Sequence, residues 1–254
     1  MENFKDKLSN YYNKFNEDKR LNHRHGQVEF ITSMKYINEY LSTGDKIVDI
    51  GAGSGKYSIE LKNKGYDVTA VELCRPNIGK IKVNDPKLKV VEANATDLSM
   101  FKDNEFDVAI MFGPMYHLYS YEDKLKALNE AKRISKKYIF VTYIMNEYSV
   151  IEYAFKDNHY KEIKDKLDVD YHIDDKDALF FQVRLEDMDK LNCDAGLKLI
   201  KRFASDGPSD YMRSYINDMD DETFNAYIDF HLKTCERKEL LGASSHVVDI
   251  LIRD

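Results

Sequence analysis

Between Ile47 and Ser58 the chain reads IVDIGAGSGKYS, with glycines at 51, 53 and 55 behind the acidic Asp49. Three residues without a Cβ in five positions leave backbone bare enough for a ligand to touch. Phosphate, nucleotide and cofactor chemistry all use such loops, and the spacing separates them. A Walker loop needs G-x-x-x-x-G-K-[ST], but Lys56 is followed by Tyr57, and Ile50 stands where the leading glycine belongs. The dinucleotide fingerprint G-x-G-x-x-G fails at position 56, where Lys56 replaces the third glycine. Glu72 lies 21 residues after Gly51. A carboxylate there can accept hydrogen bonds from both hydroxyls of a ribose, whichever cofactor carries it. His117 is the sharpest choice for proton chemistry, because imidazole titrates near neutrality.

These groups need elements that bring them to one edge. Residues 1–44 read as helical, with Val28, Ile31, Met34, Ile37 and Leu41 on one stripe until Gly44 stops the pattern. Strands then alternate with helices: strands over 46–50, 67–73, 88–93, 106–112 and 138–143, helices over 57–65 and 121–135. The run FDVAIMF (106–112) is nearly continuous and apolar, as in a strand buried on both faces. This rhythm predicts βαβ units, a parallel sheet and right-handed crossovers. Past Tyr143 it breaks. Residues 146–177 are charged and aromatic, a strand signal returns at ALFFQVR (178–184), and a short helix fills 185–196. LKLIKRFA (197–204) reads as a strand, SDGPSD (205–210) as turn, and a polar helical stretch runs to Leu241 before a last strand, SHVVDILIRD. Ligands of open α/β sheets bind outside the carboxyl ends of the strands, which gathers Asp49, Glu72 and His117.

With the strand-end acid, G-x-G-x-G and the second acid in order, the chain resembles the class I S-adenosylmethionine-dependent methyltransferases. Two later segments extend the likeness. EANATDLSMF (92–101) is similar to the family's adenine-binding segment, with Asn94 where an aspartate is usual, and FDVAIMFGPMYHL (106–118) is similar to the fourth strand and loop of small-molecule members. The likeness covers roughly residues 45–145. It implies a Rossmann-like α/β fold, a three-layer αβα sandwich on a mostly parallel seven-stranded sheet whose last strand is antiparallel. It also implies S-adenosylmethionine as cofactor and S-adenosylhomocysteine as product. Asp49, Gly51, Ala52, Gly53, Gly55, Glu72, Leu73, Asn94, Ala95 and Phe112 are the cofactor residues it points to, and bare backbone at Gly51 and Gly53 admits the cofactor without a Cβ clash. In related enzymes the segment before the first strand folds over the cofactor, which marks residues 1–44 as a helical lid and brings Tyr11 and Tyr12 to the cofactor. The methyltransferase domain is then 45–254, with cap insertions at about 146–177 and 205–241. Met115, Tyr116, Arg24 and Glu29 are the expected substrate pocket, and His117 the expected base.

Composition narrows the partners. A net charge of −7 leaves no basic surplus to release phosphate counterions, and the loop after the fourth strand reads Gly113-Pro114-Met115-Tyr116 rather than DPPY or NPPY. Both features argue against nucleic acid and for a small-molecule methyl acceptor. Cys74, Cys193 and Cys235 are far apart and odd in number, so neither a disulfide framework nor a metal site is signalled. The charged N-terminus lacks the apolar stretch of a secretory signal, and no run approaches the roughly 20 apolar residues of a membrane span. A cytoplasmic enzyme, monomer or homodimer, is expected. An RNA or protein methyltransferase and a non-catalytic nucleotide-binding module are the alternative readings.

Overall fold

The computed structural model describes residues 4–14 and 17–253. Three helices come first: α1 (Phe4–Lys14), α2 (Glu17–Asn22) and α3 (Arg24–Tyr40). The alternating part follows as β1 (Lys46–Ile50), α4 (Lys56–Asn63), β2 (Asp67–Glu72), α5 (Arg75–Asn84), β3 (Lys89–Glu92), β4 (Phe106–Met111), α6 (Tyr121–Ile134) and β5 (Ser135–Ile144). Next come α7 (Asn146–Ser149), a π-helical turn over Val150–Lys156, and α8 (Tyr160–Ile163). The chain closes with α9 (Leu185–Asp194), β6 (Leu197–Ala204), α10 (Arg213–Asn217), α11 (Asp221–Thr234), α12 (Lys238–Leu241) and β7 (His246–Arg253). The predicted helical segment over 1–44 and the predicted last strand include residues 1–3, 15–16 and 254, which lie outside the described residues.

The seven strands form one sheet in the order β3-β2-β1-β4-β5-β7-β6. Every pairing is parallel except those of β7, which runs antiparallel to β5 and β6. The fold is the Rossmann-like αβα sandwich expected from the strand–helix rhythm. Alternation along each strand sends successive side chains to opposite faces. In β4, Val108 and Ile110 join the core under α3, α4 and α5, whereas Ala109 and Met111 join the core under α6 and α9. Both cores are sealed, with Ile47, Val48, Ile110 and Met111 at 0% exposure. Each such side chain is worth about 1.5–3 kcal/mol of burial, which explains why these strands read as unbroken apolar runs.

Two readings of the sequence are corrected. Segment 178–184 is not a strand: only Val183 pairs, as an isolated bridge with Met145. Beside β5, where that bridge lies, there is no place for a strand, because β5 is already bonded by β4 on one side and β7 on the other. Strand β5 also begins earlier than Tyr138, at Ser135, directly where α6 ends.

Candidate functional site

Strand β1 pairs with β2 on one side and β4 on the other, and the chain reverses its direction of progress across the sheet there. At such a switch point the loops after neighbouring strands diverge and leave a crevice. A cavity of about 740 Å³ fills it. The cavity is lined by the loop after β1, the ends of β2, β3 and β5, the loop after β4, α1 and the start of β7.

The glycine loop is shaped by two demands. Gly51, Gly53 and Gly55 all have left-handed backbone, with φ of 76°, 58° and 88°. Such values are strained for any residue with a Cβ. At Gly51 a Cβ would also stand 2.6 Å from Cδ of Pro114, so the bare backbone there serves close packing against the loop after β4. Gly51 lines the cavity as well, so the close packing comes in addition to the expected ligand contact. At Gly53 a Cβ would meet nothing within 4 Å, and the residue lines the cavity. Of the three loop glycines, only Gly53 has open space where a Cβ would stand.

Two buried acids support the loop. Glu72 accepts hydrogen bonds from the backbone N–H of Gly53 and of Cys74, each at 2.7 Å. Burial raises its pKa and those backbone donors oppose the rise. The Leu73 backbone N–H and the Asn77 side chain also bond this carboxylate, and the residue lines the cavity. Asp49 is 2% exposed and accepts a hydrogen bond from Ser58 Oγ at 2.6 Å. Burial pushes its pKa up to about 6, against the lowering effect of Ser58. On the far side Asn94 closes a turn by accepting from the Thr96 N–H at 3.1 Å, which commits one lone pair of its amide oxygen. Asp49, Ala52, Leu73, Asn94, Ala95 and Phe112 all line the cavity.

Helix α1 lies over this end. Lys5 pairs with Glu92 at 3.0 Å, and Lys80 donates to the Tyr12 carbonyl at 2.8 Å, which ties the helix to β3 and α5. Tyr11 and Tyr12 line the cavity in consequence. Tyr12 meets His117: its hydroxyl is 2.8 Å from Nε2, while Nδ1 is 2.8 Å from the Leu179 carbonyl oxygen. That carbonyl only accepts, so Nδ1 carries the hydrogen and Nε2 accepts from the tyrosine hydroxyl. Burial lowers the imidazole pKa to about 4, with the Leu179 bond opposing. His117 is therefore a neutral, doubly bonded ring at neutral pH, poorly suited to the role of base assigned from its position.

Of the four residues expected in the substrate pocket, Tyr116 and Glu29 line the cavity. Met115 does not: it is fully buried in the core beneath α6. Arg24 is also elsewhere, paired with Asp221 and stacked over Phe224 at 5.4 Å on the α3–α11 contact. A helical stripe cannot tell which of its flanking residues will be taken by a later helix.

The other end of the cavity holds groups the sequence reading passed over. His246 lines it, and its Nδ1 is 2.7 Å from Asp206 Oδ2. Glu29, ion-paired to Arg20 at 2.7 Å, comes within 4.0 Å of the same nitrogen. Burial opposes a charge on His246, but Asp206 and Glu29 outweigh it and raise the pKa to about 9. Asp210, Arg213 and Tyr148 form a neighbouring group: the arginine donates to the tyrosine hydroxyl at 3.0 Å and pairs with the aspartate at 3.3 Å. Phe180 and Phe181 add aromatic wall from the segment misread as a strand. A signal for His246 existed: the first residue of an antiparallel last strand lies at the carboxyl end of its parallel neighbours, and His246 pairs with Ile144 at the end of β5.

Residues 48–139, from β1 into β5, match the methyltransferase domain family. Over that stretch, about a third of the chain, the sequence is similar to a methyltransferase domain. An rRNA adenine N-6-methyltransferase of Limosilactobacillus reuteri is 29% identical over 135 residues, 50% of this chain and 49% of that protein. A demethylmenaquinone methyltransferase of Paenarthrobacter aurescens is 34% identical over 100 residues, 38% of this chain and 36% of that protein. The chain thus spans half or less of the curated relatives it matches. Among solved structures, a methyltransferase from Methanosarcina mazei aligns with a TM-score of 0.57 at 20% identity, covering 86% of this chain and 98% of that one. Magnesium protoporphyrin IX methyltransferase from Synechocystis, crystallised with S-adenosylhomocysteine, aligns at 0.60 and 11% identity over 99% and 100%. These likenesses establish the methyltransferase fold across the whole chain, beyond the stretch that the family match covers.

Proposed function

We propose that this methyltransferase carries a methyl group from S-adenosylmethionine to a nucleophilic atom of a small molecule, inside the crevice at the β1–β4 switch point. The observation that carries the reading is the continuity of one 740 Å³ cavity from the glycine loop and Glu72 to the aromatic and charged wall at Tyr116 and His246. A volume of that size holds a nucleoside-sized ligand with a small acceptor beside it. Residues at the first end fit the adenosyl group. Gly53 presents backbone without steric cover, and Glu72, held still by its hydrogen bonds, lies at the cavity wall where ribose hydroxyls would meet it. Asn94 and Ala95 edge the adenine, and Tyr11 and Tyr12 close the top. When bound, the cofactor supplies a methyl group already activated by its sulfonium. The chain's own work is alignment of the acceptor and exclusion of water.

Helices α1 and α2 act as the lid expected of residues 1–44, whereas α3 packs on the sheet core. The stretches 146–177 and 205–241 act as the cap, since Tyr148 and Arg213 reach the cavity from them. An acceptor enclosed on these sides is a small molecule. No described helix is long and apolar enough to cross a membrane. The match to an rRNA methyltransferase favours a second reading, in which the acceptor is a nucleotide of RNA. Calorimetry with S-adenosylhomocysteine against NAD tests the cofactor: micromolar binding of the first alone is expected, and preference for NAD overturns the reading. Filter binding of RNA across a salt titration tests the acceptor class, with no salt-sensitive retention expected.

A further inference from the structure

We propose that His246, anchored through Nδ1 by Asp206, is a substrate-contacting residue whose Nε2–H binds the acceptor oxygen of a phenolic or enolic hydroxyl and holds it as the oxyanion. The inference rests on the methyl-transfer reading and deepens it by naming the acceptor class.

Three features of the wall lead there. Asp206 engages Nδ1 at 2.7 Å, so a ligand in the cavity meets the ring through Nε2. The carboxylate is itself fixed, accepting from Ser244 Oγ at 2.7 Å and from the His246 backbone N–H at 3.0 Å. The imidazole is therefore held in one orientation. Second, the surroundings are aromatic. The Tyr116 ring is 6.1 Å from the His246 ring, and Tyr148 and Phe180 line the same space, a setting for a flat acceptor. Third, the charges here already compensate one another. Glu29 pairs with Arg20, Asp206 with His246 and Asp210 with Arg213. A positive sulfonium at the other end of the cavity then has no counterion on this wall, and an acceptor oxyanion supplies one. An ammonium acceptor would add to the imbalance.

The charged groups facing His246 are Asp206 and Glu29, with Arg20 and Asp210 behind them. The carboxylates keep the ring protonated at neutral pH, so it donates rather than accepts. On binding, the acceptor hydroxyl loses its proton to solvent and its oxygen pairs with Nε2–H. That oxygen forms the O–CH3 bond as the S–CH3 bond of S-adenosylmethionine breaks, and the thioether departs with the electron pair. The imidazolium is unchanged over the cycle.

The test uses 4-nitrophenol, whose visible absorbance reports its ionisation. Titrated with the full-length protein near pH 6.5, with and without S-adenosylhomocysteine, the bound probe should have a ratio of ionised to neutral form about tenfold that of the free one, the worth of one charge-assisted hydrogen bond. His246→Gln should abolish the shift. Asp206→Asn should keep it at pH 6 and lose it by pH 8, which a purely structural role for the dyad would not produce. Absence of binding, bound probe of unshifted ionisation, or equal shifts in wild type and both variants overturns the proposal. Since the titration also runs without the homocysteine, its failure is distinct from a failure of the cofactor assignment, which calorimetry reads separately.

Discussion

Gly51 and Gly53 sit two residues apart with the same left-handed backbone, and alanine at each should fail differently. At Gly51 the new Cβ lies 2.6 Å from Cδ and 2.8 Å from Cγ of Pro114, well inside contact distance. Pro114 sits in the first turn of a 3₁₀ helix, beside Gly113, whose own Cβ would stand 3.0 Å from the Gly51 carbonyl oxygen. The two loops cannot separate without disturbing both strand ends. Left-handed strain of about 1–2 kcal/mol adds to an overpacking cost of about 1–3 kcal/mol, so Gly51→Ala should lose about 2–5 kcal/mol. For a chain of this size that lowers the melting temperature by on the order of 10 °C. Gly53→Ala carries the strain alone, about 1–2 kcal/mol, because nothing lies within 4 Å. Its Cβ stands instead in the space assigned to the cofactor, and affinity for S-adenosylhomocysteine should fall at least about tenfold, the equivalent of 1.4 kcal/mol. Differential scanning fluorimetry and calorimetry on both variants read the two effects. Equal melting temperatures, or wild-type affinity in Gly53→Ala, would refute the division of labour within the loop.

Three more outcomes are expected. Glu72→Gln turns an amide NH2 toward one of the backbone donors now bonded by the carboxylate, which should weaken S-adenosylhomocysteine binding by about 1–3 kcal/mol; unchanged affinity by calorimetry separates Glu72 from the ligand. His117 has a folded pKa of about 4 against the ordinary 6.5, so the unfolded chain takes up a proton that the folded one refuses. Stability should fall as pH drops from 6.5 toward 4, by about 2 kcal/mol once partial exposure is allowed for, and urea midpoints of His117→Asn should lack that slope. Parallel pH curves for the two proteins would show that the ring is ordinarily basic. Arg24→Ala should leave S-adenosylhomocysteine affinity at the wild-type value and cost at most about 1 kcal/mol of stability, since its partner Asp221 is largely exposed. A marked loss of binding in that variant would return Arg24 to the pocket.

The one-dimensional pattern determined a good deal. Strands β1, β2, β4 and β6 follow from local apolar runs, and the residues at their carboxyl ends follow from the parallel topology those runs impose. The glycine loop, Glu72 and the Asn94 segment are local motifs tied to single strand ends, so they were visible before any coordinates. What stayed hidden depended on meetings between distant segments. Arg24 left the pocket because Asp221 and Phe224, almost two hundred residues later, pack against its helix. Met115 turned into the core because a 3₁₀ turn, rather than an extended loop, follows Gly113. His117 lost its basicity to burial, which distant parts of the chain supply and nothing beside it encodes. His246 and Asp206 became a dyad only when an antiparallel strand returned its first residue to the ligand edge. Backbone conformation is set mainly by near neighbours along the chain, and so the sequence carries it openly. The charge state and neighbours of a side chain are set by whatever the fold brings within a few ångströms, and only the tertiary structure decides that.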